Sequence, residues 1–463
     1  MKKGDSQVST HLGDSLSMKK TLANLFAIVF ALAPISSTTI DLSYRTDRNN
    51  VIGALHSTPK STTRIILDAC ELLDDGLLCL LPSLPTNIQQ LYLQQNHLSS
   101  SLISLPYKQL LLLDLSLNDL SSLPPAALKQ TPPTFIASST NLQSNQIRSI
   151  TKGLLERSIK NVSLDFSLNK LIGDVGCQTL AAFIKTAHCD QLTLDISFCG
   201  IGDEGAESIA NSMLGNSGNV KISLAHNDIT REGFRSICSA TASSKCCNLV
   251  EIDLSGNKLK SLDDCDLSGF GSLVCDCCGL KCLRGVGVSI VRRQSSATMS
   301  FNGNKLGNSK QVGKSSTKKK TMSLWKGVKS GIEKTIADTI EIGVGDAVAI
   351  KVCEITNLAR EIIEETETEQ GLKGGPSTKI DLHLRDTHID RDAACALACA
   401  ITKCKNHLSV DVGESDNLSQ AEIDALRTGG EGDEIVLRMA QDFLSSEKER
   451  MDEFSDDFTD IAI

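Results

Sequence analysis

Aromatic side chains are scarce in this chain: of 463 residues one is Trp, three are Tyr and twelve are Phe. A core with so few rings must be assembled from Leu, Ile, Val, Ala and Cys, which suits thin repeating layers better than one bulky centre. Positive net charge is also missing. The formal balance is -9, which argues against a general nucleic-acid binder. No Gly-x-Ser-x-Gly nucleophile elbow occurs, and the eight His residues show no metal-ligand spacing. The longest leading apolar run, Leu22 to Leu32, is too short to cross a bilayer, and no other segment is long enough, so no stable membrane insertion is expected. The 17 cysteines are an odd number and cannot all pair within one chain.

What the chain does have is one pattern, many times. Leu91-x-Leu93-x-x-Asn96-x-Leu98 returns as Leu113-x-Leu115-x-x-Asn118-x-Leu120 and as Leu164-x-Phe166-x-x-Asn169-x-Leu171. It returns again around Asn227, Asn257 and Asn304. With the frame fixed, weaker copies emerge. Cys70, Cys199 and Cys278 stand in the Asn slot, Asn145 with Leu142 and Ile147 gives a poorer copy, and Thr387 and Ser415 end the series. Successive slots lie 21 to 30 residues apart up to Asn304, then 83 to Thr387, then 28 to Ser415. The apolar-x-apolar unit predicts a short strand with alternate side chains inward. The Asn amide, carrying both donors and an acceptor, can satisfy turn backbone that stacking hides from water.

This pattern resembles the leucine-rich repeat family over most of the chain after residue 60. The resemblance implies an α/β solenoid, a curved horseshoe with parallel strands on the concave face and helices or loops on the convex face. After Asn169 the second half of each repeat lengthens and reads helical, as in Gly173-Asp174-x-Gly176 before Leu180, Ala181 and Ile184. There it resembles the ribonuclease-inhibitor-like subclass.

Five segments are expected. Residues 1–37 form a leader, within which Met18 to Ser37 has the layout of a secretory signal: a Lys pair, a short apolar run, then small residues. The competing reading is an amphipathic helix capping the array. Residues 38–306 form the main repeat array. Residues 307–378 interrupt it with a basic loop from Lys310 to Lys320 and a helical face at Val328, Ile332, Ile336, Ile340, Val344, Val348 and Val352. Val348-x-Ile350-x-x-Cys353 also fits the repeat frame, so a masked repeat stays open there. Residues 379–425 hold the terminal repeats, and 426–463 a helix with an acidic, solvated tail.

Tests for chemistry come out weak. Cys275, Cys277, Cys278 and Cys282, with Cys265 nearby, could offer thiolates to zinc, but the frame sends Cys275 and Cys278 into the core. Buried free thiols are the favoured reading, and a disulfide involving Cys246 or Cys247 stays open. Gly313-Lys314-Ser315 invites a phosphate-loop reading, yet the required Gly position holds Asn308 and Gly307 is one step out. No metal, cofactor or catalytic residue is therefore expected.

The chain is expected to be a non-enzymatic scaffold that recognises a protein, outside the cytoplasm if the leader is used. The alternative is a cytosolic regulator similar to Ran GTPase-activating proteins, which are also nearly all repeat. The outward residues of the strands form the candidate site: Tyr92, Asp114, Asp165, Asp195, Ser223, Asp253, Ser300, His383 and Asp411 in one column, flanked by Gln90, Gln94, Lys221, Glu251 and Arg385. Four of the five acids in that column, Asp114, Asp165, Asp195 and Asp253, suggest a basic protein partner. Leu-Asp-Leu is also a common form of this family's strand, which weighs against that suggestion. The Met-Lys-Lys form of the leader resembles bacterial signals, and by analogy with secreted bacterial repeat proteins the partner is a host protein. Expressed with its leader in a bacterial host, the chain should be shortened to begin near residue 38. N-terminal sequencing that finds Met1 or Met18 on the soluble protein overturns this.

Overall fold

The computed structural model describes residues 38–99, 110–214, 218–243, 249–310, 351–366 and 378–459, apart from residues 264, 282, 284–285, 292–294, 305, 307, 388, 405–406, 416 and 431–432. The expected leader, the phosphate-loop lookalike Gly313 to Ser315, the helical face from Val328 to Val348, and Cys246, Cys247 and Cys282 lie outside the described residues.

Thirteen strands form one sheet. They are β1 (Thr38–Asp41), β2 (Thr62–Ile66), β3 (Gln90–Tyr92), β4 (Leu112–Asp114), β5 (Thr134–Ile136), β6 (Asn161–Asp165), β7 (Gln191–Asp195), β8 (Asn219–Ser223), β9 (Leu249–Asp253), β10 (Ser272–Val274), β11 (Ala297–Ser300), β14 (Lys379–His383) and β15 (His407–Asp411). They follow one another in chain order, and every pair is parallel. The first rung, Ile40-Asp41-Leu42, escaped the sequence frame because no Asn or Cys follows it. Between β11 and β14 the chain makes a separate antiparallel hairpin, β12 (Asn308–Lys310) with β13 (Lys351–Cys353). Cys353 thus ends a hairpin strand and is no repeat slot.

Each strand sends alternate side chains into a shared core, and the return path of the rung closes it. The helices are α1 (Arg48–His56), α2 (Leu73–Leu80), α3 (Ser144–Glu156), α4 (Gly173–Ala187), α5 (Asp203–Met213), α6 (Arg231–Thr241), α7 (Val286–Val291), α8 (Glu354–Thr366), α9 (Arg391–Lys403), α10 (Gln420–Thr428) and α11 (Glu434–Thr459). Leu164, Phe166, Leu180 and Ile184 of one rung meet Leu194, Ile196, Ile209 and Met213 of the next in one buried cluster. Asp174 ties these helix starts together. Its Oδ1 accepts the N–H of Gly202 at 2.8 Å and of Gly205 at 3.0 Å, and Asp203 repeats this with Thr230 and Gly233. A Cβ on Gly205 would stand 2.6 Å from Asp174 Oδ1, so the close approach needs glycine.

Two expected boundaries change. Residues 307–378 are not wholly an interruption: α8 packs between α7 and α9 and buries Ile355, Leu358, Ala359, Ile362 and Ile363. It is the helix of the rung that β11 begins, and the extra chain is inserted between that strand and its own helix. Within residues 426–463 the chain does form a helix, α11, but α10 crosses the 425–426 boundary, and α11 continues helical to Thr459. α11 packs along α9 and α10 through Val436, Met439, Ala440 and Phe443, covering the end of the array. Among the described residues no helix is long and apolar enough to cross a membrane.

The asparagines join the rungs. Asn227 Nδ2 donates to Ile196 O of the preceding rung at 2.9 Å, while its Oδ1 accepts Cys199 N–H at 2.9 Å and Ile201 N–H at 3.1 Å. Asn96, Asn118, Asn169, Asn257 and Asn304 do the same for their own neighbours. Cysteine in the slot repeats the donor contact: the thiols of Cys70, Cys199 and Cys278 point at Leu42 O, Phe166 O and Leu254 O at 3.2, 3.1 and 3.0 Å. Asn145 is a correction. It lies exposed in the first turn of α3, and the slot of that rung is Thr140, whose N–H meets Asn169 Oδ1 at 3.0 Å. Leu171 is another: it is 62% exposed and Ile172 takes its place in the core, one residue later.

Asn227→Ala strands buried donors and acceptors in two rungs and should lower stability by about 2–4 kcal/mol. Asn145→Ala should change it by no more than about 0.5 kcal/mol. Urea denaturation of both variants checks the assignment, and equal losses would refute it.

Candidate functional site

Strand register puts one outward residue of every rung in a single column. In order these are Asp41, Ile66, Tyr92, Asp114, Ile136, Asp165, Asp195, Ser223, Asp253, Val274, Ser300, His383 and Asp411. The sequence frame found nine of these and missed Asp41 at the unseen first rung and the apolar Ile66, Ile136 and Val274. Acids therefore do not run unbroken. Apolar residues separate Asp114 from Asp165 and Asp253 from Ser300.

The acids face outward, as expected, but they are not free surface charges. Asp195 is only 4% exposed. Their side chains leave the core on the sheet's far side, but neighbouring rungs, ~4.8 Å away, close over them. Each folds back on its own turn. Ser167 N–H donates to Asp165 Oδ1, Ser197 N–H to Asp195 Oδ1 and Ser255 N–H to Asp253 Oδ1, all at 2.9 Å. The hydroxyls of Ser167 and Ser255 add a second bond to the same oxygens at 2.7 and 2.6 Å. Asp-x-Ser is thus a turn device as well as a charge, which no reading of single residues reveals.

Burial raises the pKa of Asp114, Asp165 and Asp253, with the serine hydrogen bonds opposing it. For Asp195, burial and then the adjacent Asp165 carboxylate push the value up to about 7. Several other candidates are held by neighbours. Lys221 Nζ meets Glu251 Oε2 of the adjacent rung at 2.7 Å, and Arg64 lies over the Tyr92 ring at 4.8 Å. Near the last rung Asp411 collects His383, Arg385 and Arg427. Burial alone would raise its pKa, but Arg385, the Gly413 N–H and Arg427 bring it down to about 2. Lys379, Asp381, Leu382 and Ser409 complete a shallow pocket there, of about 250 Å³.

A second column escaped the sequence entirely. The residue just before each slot takes positive φ: Leu117 (59°), Ser139 (56°), Leu168 (61°), Phe198 (56°), His226 (53°) and Gly256 (69°). The N–H of each bonds to the following rung, so they stack. Leu117 and Leu168 are 45% exposed and Phe198 44%. The Phe198 and His226 rings stack at 4.2 Å, 11° from parallel. A Cβ on Gly256 would fall 2.4 Å from His226 Nδ1, so that glycine leaves room for the ring. Left-handed backbone disfavours Leu and Phe. Their recurrence before the slot was the available signal.

Cys275 and Cys278 are buried and Cys277 is exposed, and none of the three is in a disulfide. Folding brings Cys238 and Cys265 close to one another, and burial and that contact raise the Cys238 thiol. Among the described residues no three His, Cys, Asp or Glu side chains are placed to hold a metal ion.

A family model described as Leucine Rich repeat matches residues 162–181 and 192–210, the stretches that run from β6 into α4 and from β7 into α5. No curated protein matches the chain.

An unfolded aspartate titrates near ~3.9, so the folded chain holds a proton on Asp195 between that value and about 7. The stability it contributes is complete below the unfolded pKa and is lost as pH rises through the folded one. The urea midpoint should therefore fall between about pH 5.5 and about pH 8. Asp195→Asn should flatten that fall and stabilise the protein on the order of 2 kcal/mol at the alkaline end. A midpoint of the variant that tracks the wild type at both pH values contradicts the assignment.

Proposed function

Because this chain is a leucine-rich repeat protein, a fold that commonly serves as a protein-binding scaffold, we propose that it binds a protein partner through the concave sheet face and the exposed rim beside it. The observation that carries the reading is the register. Thirteen strands in one parallel sheet repeat the same outward positions at every rung, so a long ligand meets columns of like chemistry instead of scattered side chains. The central rungs offer Asp165, Asp195 and Asp253 with Lys221 and Glu251. The rim adds Leu117, Leu168 and Phe198, whose apolar area can anchor a partner that the acids steer. The buried acids stay coupled to their turns, and that holds the charge in place. The leader supports action outside the cytoplasm, and the acidic column favours a basic partner, a host protein by the analogy drawn from the leader.

A photo-crosslinking side chain at Tyr92 or Lys221 should capture the partner, and the same group at Glu207, exposed on α5, should not. Replacing Asp114, Asp165, Asp195 and Asp253 together by Asn keeps an acceptor for each turn. It should slow association with the captured partner about 3–10-fold at low salt and reduce its salt dependence. The control replaces Asp452, Glu453, Asp456 and Asp457 by their amides. If the control loses the partner and the sheet variant keeps it, the face is only a support for α11.

A further inference from the structure

β15 is the last strand of the sheet, and α10 packs against it. Gly429, which ends that helix, comes so near Leu408 O that a Cβ has no room. Arg427, in the last turn of α10, meets Asp411 Oδ1 at 3.3 Å. Register sets Asp381 beside Ser409 and His383 beside Asp411. Two adjacent strands and Arg427 thus line one recess of about 250 Å³. Its acids are engaged from within. Asp411, its side chain 7% exposed, takes Arg385 Nε at 2.8 Å and the Gly413 N–H at 3.1 Å. Asp381 takes Lys379 Nζ at 3.1 Å and the Ser409 hydroxyl. The cations stand at the mouth, with Lys379 57% and Arg427 45% exposed. Arg427 bonds Asp411 through Nη2 and Asp424 through Nη1. The rest of its five N–H groups have no acceptor among the described residues.

We infer that this recess receives a carboxylate of the protein partner, carried on an acidic side chain or at a chain terminus. The inference rests on the concave face being the binding surface. A carboxylate offers two oxygens in the plane that suits a guanidinium, and Lys379 and His383 line the same recess as further donors. A phosphate dianion brings twice the charge against Asp381 and Asp411. A cation finds the Asp411 oxygens already taken by Arg385, Arg427 and Gly413. The volume lies below the roughly 300–1,000 Å³ of pockets for drug-sized ligands and suits one side chain. The partner then lies along the array in one direction, with its basic part at Asp165 to Asp253 and its carboxylate at the last rung.

The test uses the full chain and three coumarin-labelled peptides read by anisotropy at physiological salt. They are tetraglutamate with an amidated end, tetraglutamine with an amidated end, and tetraglutamine with a free C-terminus. Binding of the first assigns the side chain, and binding of the third assigns the terminus. If neither binds, or if the all-amide peptide binds as well, the carboxylate is refuted. Arg427→Gln and Lys379→Gln should each weaken binding about five- to tenfold. Lys318→Gln with Lys319→Gln, in the basic stretch from Lys310 to Lys320, should change it less than about twofold. Equal losses from that control refute the recess. The urea midpoint establishes that each variant is folded, and Lys379→Gln keeps the test decisive should Arg427→Gln be unstable. Binding of the partner captured at Tyr92 should weaken in Arg427→Gln as well. An unchanged affinity there refutes the recess and leaves the face standing. Peptide binding with no partner captured keeps the recess and refutes the face.

Discussion

The hydrogen bonds of one side chain, the slot asparagine, hold the rest of the molecule in place. Each amide reaches back to the preceding rung with both its functions, donating to a strand-end carbonyl and accepting turn N–H groups. Those groups lie beneath the next layer, where water cannot serve them, and an unmet group there costs about 1–3 kcal/mol. Because the bond runs between rungs, it sets how far each is rotated against the last. The outward columns are a result of that setting.

This is also why the fold was legible in the sequence. Few side chains offer two donors and an acceptor at once, so Asn96, Asn118, Asn169, Asn227, Asn257 and Asn304 mark their rungs openly. The rung of β5 was misread because Ala137 and Thr140 are modest versions of the anchor and the slot, while Asn145 happened to sit nearby. The helix α8 was assigned to an insertion because the chain leaves the rung and returns before completing it, and linear spacing cannot express that. The burial of Asp195 depends on residues about 30 positions away on either side. The sequence placed the acid on the right face but could not place its neighbours over it. The rim of Leu117, Leu168 and Phe198 was hidden for a different reason, since nothing in the character of Leu or Phe announces left-handed backbone.

Two features of the strand face work against stability. Carboxylates are held where burial disfavours their charge, and bulky residues occupy a backbone region that suits glycine. A left-handed L-residue costs roughly 1–2 kcal/mol. Glycine at positions 117, 168 and 198 would remove that cost without touching the core, because these side chains point outward. Departures from local preference that cluster on one face are the pattern expected of a surface kept for contact.

The insertion between β11 and α8 bears on how the molecule assembles. Earlier rungs find their neighbours within 18 to 33 residues, as with Lys260 to Cys278 and Leu224 to Asn257. Arg385 must find Asn302 across 83 residues. By loop-closure entropy that longer search costs about 1 kcal/mol more. The first eleven rungs can zip together by nearest-neighbour steps while the last two remain undocked. During that interval β11 is an open strand edge, a ready template for a parallel strand. The strand that fits it is β14 of the same chain, so the interrupted rung is the joint on which completion of the solenoid waits.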